Sequence, residues 1–215
     1  MQIKLTVPAK YIAVLKLFAA EKDIRSYLNG ICLEIGRSET RLISTNGHIM
    51  GAFRVESDQP DIDEPVKNVI IPNDMLKHIK PKGDVDIVLG DALPDSHARP
   101  VTLTFDGLTV SGKTVDGRYP DWQRQFLNLK PSGIAAQFNA EYIGKMGKAW
   151  AHLHGKRSPM VAIAHNGGSA ALIGLGDENF CGVIMPIGSH YIAVPACAPD
   201  WIMDAGSRAV EKVAA

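Results

Sequence analysis

The sequence predicts an α+β fold of repeated βαβββ units, with antiparallel sheets and helices on one face. Three observations carry that reading: a short alternating strand runs into a helical apolar stripe, three strands separated by turn-forming residues follow, and the same order recurs twice more. The order of elements repeats, whereas the residues do not.

The first unit opens at residues 2–7, which alternate polar and apolar as a half-buried strand does. Pro8 suits a helix start, because its missing N–H is one that a first turn leaves unpaired anyway. Tyr11, Val14, Leu15 and Phe18 then fall at i, i+3, i+4 and i+7, one face of a helix. Strands at 26–35, 40–44 and 49–55 are separated by Gly36-Arg37-Ser38-Glu39 and by Asn46-Gly47, a strong hairpin signal. A Pro- and Asp-rich linker, 58–65, leads to the second unit. There a strand at 68–71 precedes Asn73, the expected cap of a short helix carrying Met75, Leu76 and Ile79. Strands at 85–89, 101–105 and 108–114 complete it, with Asp106-Gly107 as the turn. The third unit reads as a strand at 134–138, Asn139 as N-cap, a helix to about His154, and strands at 160–164, 170–174 and 180–187. The expected division is a complete two-unit domain over 1–128, a half domain over 129–188, and a tail, 189–215, with Trp201, Ile202 and Val210 as anchors to its own body or to a neighbour.

Bulk properties narrow the function classes. Of 215 residues, 46% are hydrophobic and 21% charged, the composition of a folded globular chain. Lys plus Arg number 23 and so do Asp plus Glu, so contact with nucleic acid must come from a segregated face. Cys32, Cys181 and Cys197 lack C-x-x-C spacing and no charged-then-apolar leader is evident, which predicts reduced thiols and a cytoplasmic location. No apolar run approaches the roughly 18–20 residues that cross a bilayer, so no membrane association is expected.

Catalytic and metal-ligating constellations are not found, and neither an enzyme, a cofactor nor a metal is expected. His152 and His154, two apart on a helix, point about 200° away from each other, and the other histidines lack ligand spacing. The enzymatic alternative is a P-loop nucleotide hydrolase, because Gly107-Leu108-Thr109-Val110-Ser111-Gly112-Lys113-Thr114 matches the phosphate-cradling pattern letter for letter. A P-loop must open a helix whose N-terminus meets the phosphates. Here Leu108, Val110 and Gly112 alternate as a strand, and Val115-Asp116-Gly117-Arg118-Tyr119-Pro120 cannot start a helix.

Three segments carry a family likeness: Tyr27-Leu28-Asn29-Gly30 running on to Thr45-Asn46-Gly47-His48, then Val115-Asp116-Gly117-Arg118-Tyr119-Pro120-Asp121-Trp122, and finally Val183-Ile184-Met185-Pro186-Ile187. In this order and spacing the chain resembles the second and third domains of the bacterial sliding clamp, the beta subunit of DNA polymerase III, over about residues 1–188. The resemblance implies the DNA-clamp fold and a non-catalytic processivity factor that tethers a polymerase or other DNA-processing protein to duplex DNA. A rival within the binding class is a clamp-derived regulator that offers the cleft without encircling DNA. In that family the three motifs converge on an apolar cleft that takes a short partner peptide, with a Gln followed by Leu and an aromatic residue. Carried over, the cleft is Leu28, Thr45, Gly47, His48, Met50, Pro120, Arg124, Val183, Met185, Pro186 and Ile187. Its aliphatic and Met side chains would form a deformable floor, with Thr45, His48 and Arg124 as polar anchors. Ile49 and Gly188 depart from the family pattern, which favours a basic residue after the His and a basic-apolar pair at the end.

The resemblance also implies that helices face duplex DNA through phosphate charge, without reading sequence. The residues expected on that face are Lys145, Lys148 and His152 of the third helix with Lys156 and Arg157 just beyond, Lys77, Lys80 and Lys82 around the second, and Lys16 of the first. The outer face of the first helix is read as Ala9, Ala13, Lys16 and Ala20. Relatives close rings with twelve βαβββ units, so three per chain implies a homo-oligomer of four chains, or a dimer joined through third units; the tail covering the open edge would instead leave a monomer.

Overall fold

The computed structural model describes residues 2–127, 129–155 and 158–188. The tail at 189–215, with Cys197, and Lys156 and Arg157 lie outside the described residues. The first unit is β1 (Ile3–Pro8), α1 (Ala9–Phe18), β2 (Gly30–Ile35), β3 (Glu39–Thr45) and β4 (Ile49–Glu56). The second is β5 (Val66–Pro72), α2 (Asn73–Leu76), β6 (Asp84–Leu89), β7 (Pro100–Phe105) and β8 (Leu108–Lys113). A short α3 (Arg124–Leu127) sits in the linker before α4 (Ala140–His154), β9 (Ala162–Ala164), β10 (Ala171–Gly174) and β11 (Phe180–Ile184).

All ladders are antiparallel, in a four-stranded sheet ordered β1-β6-β7-β8 and a seven-stranded sheet ordered β5-β2-β3-β4-β11-β10-β9. The first two units exchange strands: β1 joins the second unit's sheet through β6, and β5 joins the first unit's sheet through β2. The alternation of Ile3, Leu5 and Val7 explains why β1 must pair, since all three side chains are buried between the layers. The third unit is added differently, last strand to last strand, through β4 and β11. At that seam Gly51 faces Gly182, and a Cβ on Gly51 would come 2.5 Å from the Phe18 ring. Only glycine lets the two strands close over the Phe18, Phe53 and Phe180 cluster.

Four expectations need correction. Residues 134–138 form no strand, because a first strand here is stabilised by the second strand of another unit, and none among the described residues is free to take it. Asn73 is the first residue of α2 and not its cap; its Nδ2 donates to the Ala20 carbonyl at 2.8 Å, tying α2 to the end of α1. β11 stops at Ile184, after which the Ile187 N–H donates to the Gln137 carbonyl. Ala9, Ala13 and Ala20 are buried, because α1 packs against α4 of the third unit as well as over the sheets. Asn139 does cap α4, its Oδ1 accepting the Glu141 N–H at 2.9 Å, and Gly155 ends the helix in the left-handed region. Leu108–Lys113 is strand β8, and no helix opens after the P-loop-like run.

Candidate peptide cleft and basic helical face

The Thr45-Asn46-Gly47-His48 turn organises its own backbone. Asn46 Oδ1 accepts the N–H groups of His48 (2.9 Å) and Ile49 (3.0 Å), while Thr45 Oγ1 accepts the Gly47 N–H (3.0 Å) and donates to the Ile49 carbonyl (2.9 Å). Gly47 sits at φ +92°, where a side chain would be strained. The turn leaves His48 exposed and stacked near the Tyr142 ring of α4, centroids 6.0 Å apart. Its carbonyl accepts the Met185 N–H at 2.8 Å, which extends the β4–β11 seam by one bond and brings the third motif beside the first.

The middle motif is pinned between them. Val115 donates to the Ile70 carbonyl (2.8 Å), and the Tyr119 N–H donates to Asn68 Oδ1 (2.8 Å). Tyr119 is thereby buried in a small apolar cluster with Leu28, Met50 and Val183, and burial pushes its phenol far above the usual tyrosine range. Beyond it Trp122 and Phe126 meet edge to face at 6.1 Å.

These contacts enclose a cavity of about 250 Å³. Its walls include Leu28, Thr45, Gly47, His48 and Met50 from the first unit, Pro120 from the linker, and Val183 and Met185 from the third unit. Three expected members stand apart from this lining: Arg124 is exposed on α3, with Gln125 in its place, and Pro186 and Ile187 lie past the seam. Arg25, Asp121 and Trp122 were not anticipated. Arg25 forks onto Asp23, Nε to Oδ1 at 3.0 Å and Nη2 to Oδ2 at 2.8 Å, and these bonds hold the Asp23 carboxyl at about 2. The signal for it was Asp-x-Arg two residues ahead of the Tyr27-Leu28-Asn29-Gly30 motif. The cleft thus has an apolar floor and a polar rim, where Arg25 is paired with Asp23 and Asp121 adds a second carboxylate, chemistry suited to an amphipathic peptide.

On the helical side, α1, α2 and α4 lie together, but their charges are unevenly available. Lys16 Nζ donates to the carbonyls of Lys77 (3.2 Å) and Ile79 (3.3 Å), and partial burial lowers its pKa. Its geometry therefore gives it a structural task, capping the end of α2. Burial, with the Lys16 charge nearby, also lowers the pKa of His152 and so favours its neutral form. Lys145 pairs with Glu141 at 3.2 Å. Lys77, Lys80, Lys82 and Lys148 are exposed, and Glu21 and Asp74 share the hollow of about 610 Å³ that Lys16, Lys22 and Lys77 line. Among the described residues no cluster of His, Cys, Asp and Glu could hold a metal ion, and no helix is long and apolar enough to cross a membrane.

Two exchanged βαβββ units, a third joined last strand to last strand, and helices gathered on one side define the DNA-clamp architecture. The family model described as DNA polymerase III beta subunit, central domain, matches residues 2–121, and the chain belongs to that family. The beta sliding clamp of Pseudomonas putida is 36% identical over 110 residues, which span 49% of this chain and 28% of the relative. That of Vibrio cholerae is 32% identical over 114 residues, 49% of this chain and 27% of the relative. Among solved structures, a DNA polymerase sliding clamp from Pseudomonas aeruginosa superposes with a TM-score of 0.63 at 18% identity, covering 86% of this chain and 66% of that one. A putative DNA polymerase III beta subunit from Eubacterium rectale gives 0.63 at 13%, covering 87% and 66%. The chain therefore spans less than a third of the curated relatives it matches, and the structural likeness carries the fold into the third unit.

Proposed function

We propose that this chain is a clamp-like processivity factor that performs no chemical step and tethers a polymerase or another DNA-processing protein to duplex DNA. The partner would present a short segment with Gln, Leu and an aromatic residue to the cleft between a complete two-unit domain and a half domain. The observation that carries this reading is the convergence of three segments far apart in sequence on one cavity with an apolar floor and a polar rim. DNA would be held without sequence preference by exposed lysines of the helical side, Lys77, Lys80, Lys82 and Lys148. The test is topological: the protein assembled on closed circular duplex should be retained through gel filtration in moderate salt and lost when one cut linearises the circle. Equal loss from circle and line would exclude tethering by encirclement.

A second reading, the clamp-derived regulator that captures cleft-binding proteins without encircling DNA, is favoured by one observation. Lys16, the one charge on the first helix's expected outer face, is committed to carbonyls at the end of α2, which thins the charge facing phosphates. Cleft binding together with equal loss from circular and linear DNA is the result that would select it.

A further inference from the structure

Strand exchange between the first two units follows one register. The residue before each helix faces the first residue of the other unit's second strand, Pro8 opposite Asp84 and Pro72 opposite Gly30. From there Val7 faces Val85, Leu5 faces Ile87 and Ile3 faces Leu89, and in the mirrored ladder Ile71 faces Ile31 and Val69 faces Leu33. Each unit gives one strand and receives one.

The third unit carries both halves of this exchange, and neither is filled among the described residues. β9 is the outermost strand of the seven-stranded sheet. The segment that should be given is irregular chain, held to its own unit by Gly133 N–H to the His165 carbonyl (3.1 Å), Ala136 N–H to His165 Nδ1 (3.1 Å), Gly167 N–H to the Ile134 carbonyl (2.9 Å) and Ile187 N–H to the Gln137 carbonyl (2.8 Å), bonds that the exchange would have to replace. Its sequence nonetheless has the pattern of a first strand. Ile134, Ala136 and Phe138 precede Ala140, the first residue of α4, at the spacings by which Ile3, Leu5 and Val7 precede Ala9, the first residue of α1. Ile3 is fully buried in its exchanged ladder, whereas Ile134 is 64% exposed. An isoleucine in this register loses its water only when another unit's second strand receives it.

We propose that a second copy of this chain is that other unit. Each copy gives 134–138 to the β9 edge of the other about a two-fold axis, and the two third units become one complete, exchanged domain. A single two-fold operation fills both vacancies at once, because the giving segment and the receiving edge belong to the same unit, as an isologous contact requires. The register is fixed by analogy. Ile163 faces Ile173 on β10, as Ile87 faces Leu103 and Leu33 faces Leu42. Ala136 of one copy therefore lies opposite Ile163 of the other, Phe138 opposite Val161, and Ile134 opposite His165. Val161 and Ile163 already pack on the core from the receiving side.

The proposal stands apart from the cleft and from DNA, and it is tested on the full chain alone. Light scattering at about 50 micromolar, where a micromolar dimer is saturated, should give at least twice the 23.2 kDa mass of one chain. Ile134→Asp should return the mass to one chain with an unchanged thermal melt of the isolated fold, since the side chain is exposed there. Opposed residues of an antiparallel pair lie within disulfide reach. The double variant Ala136→Cys, Ile163→Cys should therefore oxidise to a covalent dimer, with the two single variants and the parent chain as blanks for Cys32, Cys181 and Cys197. A single-chain mass for the parent protein, a dimer untouched by Ile134→Asp, or a double variant that closes its disulfide within one chain would each overturn the proposal.

Discussion

Replacing Met185 by Asp should abolish useful peptide binding, and the size of the effect follows from the geometry of the cleft. The Met185 side chain is 40% exposed, so that part is what a docked peptide would remove from water. Burying a whole Met side chain is worth about 1.5–3 kcal/mol, so covering the exposed part is worth ~1 kcal/mol. An aspartate forfeits that and adds the desolvation of a carboxylate beneath an apolar ligand, at least ~2 kcal/mol. Together these weaken binding by roughly 150-fold, from a dissociation constant of about a micromolar to about 150 micromolar. The readout is a fluorescence polarisation titration with a labelled peptide carrying Gln, Leu and an aromatic residue, beside a thermal melt to show that the fold is intact. No saturable binding to the parent protein, or a variant that binds within a factor of about three of it on this free-energy scale, would refute the assignment of the cavity.

Gly51→Val tests the seam between the first and third units. The new Cβ would lie 2.5 Å from Phe18 Cδ2, and overpacking of this kind costs about 1–3 kcal/mol. Calorimetry should show a melting temperature lower by roughly 2–4 °C per kcal/mol, and an unchanged one would mean that the strands can part without loss. The pH dependence follows from His152, whose pKa is depressed from 6.5 by burial and then by the charge of Lys16. Well above 6.5 both folded and unfolded states hold it neutral; as pH falls through 6.5 the unfolded chain takes up the proton first, so stability is lost toward acid. His152→Gln should flatten that limb of a denaturant-midpoint profile, and an unaltered slope would assign acid sensitivity elsewhere.

What could be read from the sequence is what is decided locally. Asn46-Gly47 and Asp106-Gly107 declare their turns because positive φ is needed there, and both residues of the second pair adopt it. Asn139 marks the start of α4 for a different local reason, because its side chain can accept a first-turn N–H. Residues whose position depends on distant packing were not legible. Ala13 looks like the outer face of an isolated helix, yet α4 covers α1, and nothing near α1 announces that contact; Ala20, past the end of α1, is buried instead beside Leu28. Arg124 stands close to the linker motif in sequence, but the turn of α3 puts Gln125 at the cavity and leaves Arg25 as the arginine on its rim. Residues 134–138 have the alternation of a strand, and alternation alone makes no ladder without an edge to receive it.

Two of the outermost strands among the described residues, β8 and β9, differ in a way that bears on which one is built for a neighbour. β8, the last strand of the second unit, ends in Lys113 and exposes every residue but Val110. Ser111 and Thr109 lie within hydrogen-bonding reach of Thr102 and Thr104 across the β7–β8 pair, which keeps that face polar. A lysine and a polar face are the usual means by which a sheet edge discourages further pairing. β9 has neither: Ala162, Ile163 and Ala164 carry no charge, and the flanking Val161 and Met160 are apolar, with Met160 70% exposed. An edge left this apolar is a hazard in a solitary protein and a requirement in one whose sheet is continued by another strand. The contrast supports the proposed contact at the third unit. There the structure holds both an unguarded edge and a segment of first-strand pattern that is in no ladder, while the guarded β8 edge has no such segment beside it among the described residues.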